Sequence, residues 1–236
     1  MLESPSTRRS FLRHGSIAGA VLLAPVGLAQ QKPEEKEKGE KENQDQKISP
    51  AEDLMREHGV LNRILLIYDE HLRMLSEKKR FDGSILASAA DIVRHFVEEY
   101  HEKLEEEHLF PRFRKAGKLV DLVDTLQKQH QAGRRVTDRV FATAASLKTQ
   151  DDRNRLAVDL EAFNRMYAPH EAREDTVLFP ALHKIVSSHE YDALGEQFDK
   201  IERQTFGGDG FDIYVDKVAA LEKRLGIYDL SKFTPA

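Results

Sequence analysis

One motif occurs twice in this chain, 69 residues apart: His101-Glu102-Lys103-Leu104-Glu105 and His170-Glu171-Ala172-Arg173-Glu174. Each copy is followed after three residues by Leu-Phe-Pro, as Leu109-Phe110-Pro111 and Leu178-Phe179-Pro180. A lone His precedes each copy, His58 and His130, and these two are 72 residues apart. Self-similarity at a fixed offset marks a structural unit used twice, and a unit that cannot bury its apolar face alone must stack on its copy. The chain is thus constrained to two related hairpins, each with one isolated His and one His-x-x-x-Glu pair.

Apolar periodicity identifies the arms of those hairpins as helices. Ser49-Pro50-Ala51-Glu52 reads as a capping box with Pro at the first helical position. From there Leu54, His58, Leu61, Leu65, Tyr68, Leu72 and Leu75 step by threes and fours along one buried face. Asp82-Gly83 reads as a turn, 84–115 as a second helix with Val93, Val97, His101 and Glu105 stacked, and Gly117 as its stop. A third helix carries Leu119, Val123, Leu126, His130, Gly133, Thr137, Val140, Ala144 and Leu147. A fourth carries Leu156, Leu160, Phe163, Tyr167, His170, Glu174, Val177 and Ala181. Short connections between long amphipathic helices predict an all-α, up-down-up-down four-helix bundle. Two additional C-terminal helices follow: one capped by Ser187 and running to about 204, one over 211–225 after Gly207-Gly208-Asp209-Gly210. That turn is no phosphate loop, since no Lys-Ser/Thr follows it and no strand precedes it.

The spacing carries chemistry. Residues i and i+4 share a helix face about 6 Å apart, so the His and Glu of each pair can reach one metal centre. The chain has no Cys, which excludes thiolate zinc sites, cysteine-held iron–sulfur clusters and thiol catalysis. A net charge of −5 gives no footing for nucleic acid. A single His on an apolar face is ordinarily a hydrogen-bonded core residue. Four on four seams, beside two seam carboxylates with no seam Lys or Arg, call for a cation instead. His58, His101, His130 and His170 with Glu105 and Glu174 suit a pair of iron ions bridged by the carboxylates. A ferritin-like oxidase site would need Glu-x-x-His on two helices. Glu98-x-x-His101 and Glu105-x-x-His108 both fall on the second.

The remaining His are weaker candidates. His71 is expected off the seam, His95 about 120° round the helix from His101, His108 at the mouth of the site, and His183 and His189 beyond the bundle. Tyr167 is expected as a packed ring or a hydrogen-bond donor behind the ligands, and Arg134 as a solvated side chain, with pairing to a Glu or guarding of the entry as its alternatives.

The N-terminus reads as an address. Thr7-Arg8-Arg9-Ser10-Phe11-Leu12-Arg13 precedes an apolar run over 17–28 that ends Gly27-Leu28-Ala29. The paired Arg resembles a twin-arginine export signal, with Thr7 and Arg13 departing from its usual Ser and Lys. The expected organisation is an export signal at 1–29, a charged linker without aliphatic or aromatic residues at 30–47, ending at 48, the bundle at 49–186 and a helical extension at 187–236. Export would place the mature chain in the periplasm or outside the cell, without membrane insertion.

With these residues in view, the chain resembles the hemerythrin-like cation-binding family over 49–185, in the four-His, two-Glu bacterial branch that includes iron-centre repair proteins. The resemblance implies the ligand set His58, His101, Glu105, His130, His170 and Glu174 around two non-haem iron ions with oxo and carboxylate bridges. Oxygen-carrying members have a further His one turn after the third-helix ligand, where this chain has Arg134. They also use an Asp five residues after the last His, a place held by Asp175, so Glu174 and Asp175 both stand as candidates, with the matching Glu105 favouring Glu174. A missing fifth His leaves positions for a diatomic ligand, O2 or NO, in sensing, scavenging or storage, with an electron donor as a possible partner. The alternatives are an oxidoreductase acting on peroxide or NO, and an iron donor for damaged centres.

Overall fold

The computed structural model describes residues 48–235. The export signal read at 1–29 and all but the last residue of the linker read at 30–48 lie outside the described residues.

Six helices and no strand occur among the described residues, and all but the third start at a side-chain cap. The Ser49 hydroxyl accepts the Glu52 amide and Pro50 occupies the first turn of α1 (Pro50–Ser76). The second helix, α2 (83–116), is one continuous rod assembled from α-helical and wider π-helical turns. Asp82 caps it by accepting the Ser84 amide, so Asp82-Gly83 is a helix start rather than a free turn. Gly117 ends it at φ 62°, a conformation that costs glycine nothing. Helix α3 spans Val120–Ser146. Helix α4 (150–182) opens on a full capping box between Thr149 and Asp152. Ser187 and Asp209 cap α5 (Ser188–Phe206) and α6 (Gly210–Leu225). A short 3-10 turn, Leu230–Phe233, follows.

Helices α1 to α4 pack around a closed square, α1 on α2, α2 on α3, α3 on α4 and α4 on α1. Their facing stripes form the core, with Leu54, Ile64, Tyr68, Phe96, Phe110, Val140, Leu160 and Phe163 fully enclosed. Helix α6 lies along both α1 and α2, and α5 packs on α1. Consequently α1 is buried on two sides, one against the bundle and one, with Asp53 and Glu57, beyond the expected seam. Phe206 of α5 and Tyr214 of α6 meet Phe96 and Tyr100 of α2 in a cluster of rings with centroids 4.6–6.1 Å apart. No described helix is long and apolar enough to cross a membrane.

The π turns are the local feature that periodicity misses. Both motif helices widen at matching places, over Glu105–Leu109 in α2 and Glu174–Leu178 in α4, immediately before Phe110-Pro111 and Phe179-Pro180. Proline has no N–H, and its ring would meet the carbonyl four residues back in a regular α-helix. A turn with one extra residue relieves that clash, and such turns concentrate at functional sites. The repeated Leu-Phe-Pro accompanies both of these turns, although α2 also widens over Val93–His101 with no Pro following, and Pro169 lies in a regular α-helical stretch of α4.

Candidate metal centre

The four seam imidazoles meet in the core as two pairs. Nε2 of His58 lies 3.1 Å from Nε2 of His101, and Nε2 of His130 lies 3.2 Å from Nε2 of His170. Each carboxylate spans both pairs. Oε2 of Glu174 is 3.4 Å from His58 and 3.1 Å from His170, while Oε2 of Glu105 is 3.8 Å from His101 and 3.4 Å from His130. All six side chains are buried, Glu105 and Glu174 completely.

A second set of contacts fixes the direction in which each ring points. Every Nδ1–H donates outward to an oxygen: His58 to Asp175 at 2.7 Å, His101 to Glu57 at 2.9 Å, His130 to Glu106 at 3.1 Å and His170 to Gln129 at 2.9 Å. These acceptors form a closed ring around the bundle. Glu57 on α1 holds His101 on α2, Glu106 on α2 holds His130 on α3, Gln129 on α3 holds His170 on α4, and Asp175 on α4 returns to His58 on α1. An outward Nδ1–H leaves Nε2 as the inward lone pair, and outer hydrogen bonds of this kind orient and strengthen metal-bound imidazoles.

The electrostatics fit a cation between the pairs. No oxygen of Glu105 or Glu174 receives a hydrogen bond among the described residues, although both are buried. An uncompensated buried carboxylate costs several kcal/mol. Burial, then the charges of Glu174 and Glu102, push the Glu105 carboxyl well above its usual range. Burial also raises Glu174, but His170 and His58 outweigh it and hold Glu174 well below that range. Burial lowers the His58 imidazole, yet its hydrogen bond to Asp175 and the negative charge of Glu174 beside it raise it to about 10. Two carboxylates in one buried space cannot both ionise without positive charge between them. Two groups, His58/His101/Glu105 and His130/His170/Glu174, each bring three donor atoms within 4.8 Å of one another, close enough to hold an ion.

The Hemerythrin HHE cation binding domain matches residues 49–182, more than half of the sequence. The chain belongs to this family. Domains of the family bind metal cations, typically iron. Uncharacterized proteins of Mycobacterium tuberculosis and Mycobacterium bovis are each 47% identical to it over 223 residues, covering 94% of this chain and 88% of theirs. No solved structure matches the chain.

Within this hemerythrin-family bundle, the structure brings together His58, His101, Glu105, His130, His170 and Glu174. Between the two candidates at the end of α4, Glu174 faces the imidazole pairs, while Asp175 lies outside them on His58 Nδ1. His71 lies off the seam, as expected, yet is fully buried, because α1 buries a second face; its Nδ1–H donates to Ile67 O at 2.7 Å and its ring stands edge-on to Phe81. His108 packs on Phe198 of α5. Arg134 is half-buried and paired, the alternative expected for it. It bridges Glu102 at 2.7 Å and Glu106 at 2.9 Å. Tyr167 is packed and also a donor, giving its hydroxyl hydrogen to Glu102 at 2.8 Å with its ring edge-on to His170. His95 pairs with Asp91 and Glu99 on the surface, and His183 stacks on Tyr191.

Sequence reasoning did not find Glu57, Glu106 or Gln129. A signal was present: each of the four acceptors is the chain neighbour of one of the six central residues.

Proposed function

We propose that this chain is an exported di-iron protein that binds O2 or NO at a centre held by His58, His101, Glu105, His130, His170 and Glu174. The observation that carries the reading is the inward convergence of four Nε2 atoms on two carboxylates that lack hydrogen bonds, with all four Nδ1 atoms tied outward. Two His with carboxylate is a ligand set that non-haem iron accepts while leaving positions open. Six side chains shared between two ions fill only part of both coordination shells. Iron in such a site supplies reversible one-electron chemistry and affinity for diatomic ligands.

The protein's own residues would hold the ions, exclude bulk water and keep the rings in one tautomer. Apolar rings close the centre, Phe179 stacking on His58 and Phe110 on His130. Export rests on Arg8-Arg9 ahead of the apolar run at 17–28.

A second reading, an oxidoreductase acting on peroxide or NO, is favoured by the Tyr167–Glu102–Arg134 chain beside His170. Polar groups hydrogen-bonded in series can deliver protons that a simple carrier does not need. Metal analysis with visible spectra of aerobically purified protein, before and after reduction and exposure to O2, NO or azide, tests the first reading. Two irons per chain and ligand-dependent bands are expected. Stopped-flow mixing of reduced protein with O2 separates the readings: a band that reverses under argon marks a carrier, whereas rapid reoxidation marks a reactive site. Unchanged spectra with all three ligands would overturn ligand binding and leave iron delivery or storage.

A further inference from the structure

The internal duplication relates the two halves of the centre residue by residue, so any break in it is informative. The 72-residue offset that maps His58 onto His130 maps Glu57 onto Gln129 and Asn62 onto Arg134. The 69-residue offset that maps His101 onto His170 maps Glu102 onto Glu171 and Glu106 onto Asp175. The contacts repeat as well. Glu57 and Gln129 each accept an Nδ1–H at 2.9 Å, from His101 and His170. Asn62 donates to Glu171 as Arg134 does to Glu102. The geometry is conserved across the pseudo-twofold axis. The charge is not.

Both imidazoles of the His58/His101 half lean on carboxylates, Asp175 and Glu57. Glu57 is 2% exposed and also accepts the Tyr100 hydroxyl at 3.1 Å. Tyr100 is itself covered by Phe206 of α5, which lies outside the matched family segment. In the His130/His170 half, one imidazole leans on the neutral Gln129 amide. The other leans on Glu106, whose charge is shared with Arg134 at 2.9 Å and Lys103 at 2.8 Å. The guanidinium of Arg134 therefore stands one helical turn from His130, where the other half has the uncharged Asn62. A carboxylate behind an imidazole raises its basicity toward a metal, an amide does so less, and a nearby cation opposes a second cation.

The geometry points to two unequal metal sites that fill in order, His58/His101 first and His130/His170 second, with Glu57 and Gln129 as the positioning residues that set the difference. This rests on the two-ion reading above. The looser site is then the one with positions most readily given to an exogenous ligand.

Titration of the metal-free full chain with cobalt(II) alone, followed by its visible absorption against a competing chelator, tests the order. Two steps separated by about 10- to 100-fold in affinity are expected, the range that outer hydrogen-bond partners command. Glu57→Gln weakens the first step about tenfold and spares the second. Gln129→Glu tightens the second step and spares the first, a gain that a folding defect cannot imitate. His130→Asn keeps the tight step, whereas His58→Asn keeps only the weak one. Two equal steps in the unaltered chain, or a tight step that survives His58→Asn and vanishes in His130→Asn, overturn the proposal while leaving the two-ion reading intact. Fewer than two cobalt ions per chain overturn that reading, and the proposal with it.

Discussion

A Cβ on Gly133 of α3 would stand 2.7 Å from Cζ of Tyr167 on α4, closer than real side chains approach. The glycine is therefore the recess that lets the Tyr167 ring cross between helices and reach Glu102. Gly133→Ala should lower stability by about 1–3 kcal/mol, the usual cost of overpacking a full core. Tyr167→Ala in the same chain frees that space, so the double variant should lose less than the sum of the single losses. Thermal denaturation of the four proteins checks this, and strict additivity would contradict the contact.

Metal content separates central from peripheral residues. Glu105→Ala or Glu174→Ala should lower bound iron sharply, since each removes a carboxylate that faces both imidazole pairs. His189→Ala should leave iron unchanged. His71→Ala should also leave iron unchanged while costing about 1–3 kcal/mol of stability, because it empties a buried position. Elemental analysis of purified variants decides it. Full iron in both Glu variants would reject the assignment.

Glu98 gives stability a pH dependence of its own. It is 1% exposed, and burial raises its carboxyl to about 7 against the counter-effects of Thr137 and Arg94, the latter 2.7 Å away. An acid with a higher value in the folded than in the unfolded chain binds more protons when folded. Stability then falls as pH rises from about 4.5 to 7. Glu98→Gln should flatten that slope and stabilise the protein above pH 7, by about 3 kcal/mol at most. Denaturant melts at pH 5 and pH 8 test the sign, and an unchanged slope in the variant would refute it.

The C-terminal helices should contribute to the bundle through Phe206. Its ring meets Phe96, Tyr100 and Tyr214, and it is only partly buried, so Phe206→Ala should cost about 2 kcal/mol, below the loss from a fully enclosed ring. Iron stoichiometry should remain at two, since the ring contacts of Phe206 are with Phe96, Tyr100 and Tyr214 and not with the central imidazoles. Loss of iron in a folded variant would show that α5 acts on the centre directly.

The helices were legible because their signals are local. Ser49 and Ser187 announce helix starts, Gly117 announces a stop, and the steps of three and four mark one buried face per helix. The same periodicity placed His58, His101, Glu105, His130, His170 and Glu174 on those faces, so the six could be named without coordinates. The burial of His71 was not foreseen because a single seam was assumed for α1, whereas α5 and α6 pack on α1 as well. The π turns were overlooked because a regular period carries no mark where the helix gains a residue; Pro111 and Pro180 follow two of the three stretches, and nothing local announces Val93–His101.

The sequence by itself determined which residues point inward, since that depends only on spacing along one helix. It could not determine which imidazole a given acceptor reaches. Glu57 follows the face of its own helix but serves His101 on the next, and Asp175 closes the ring onto His58 from 117 residues away. Those pairings depend on the order in which helices pack and on their axial offset. Both are set by the whole core, so only the tertiary structure decided how the centre is held and that its two halves differ in charge.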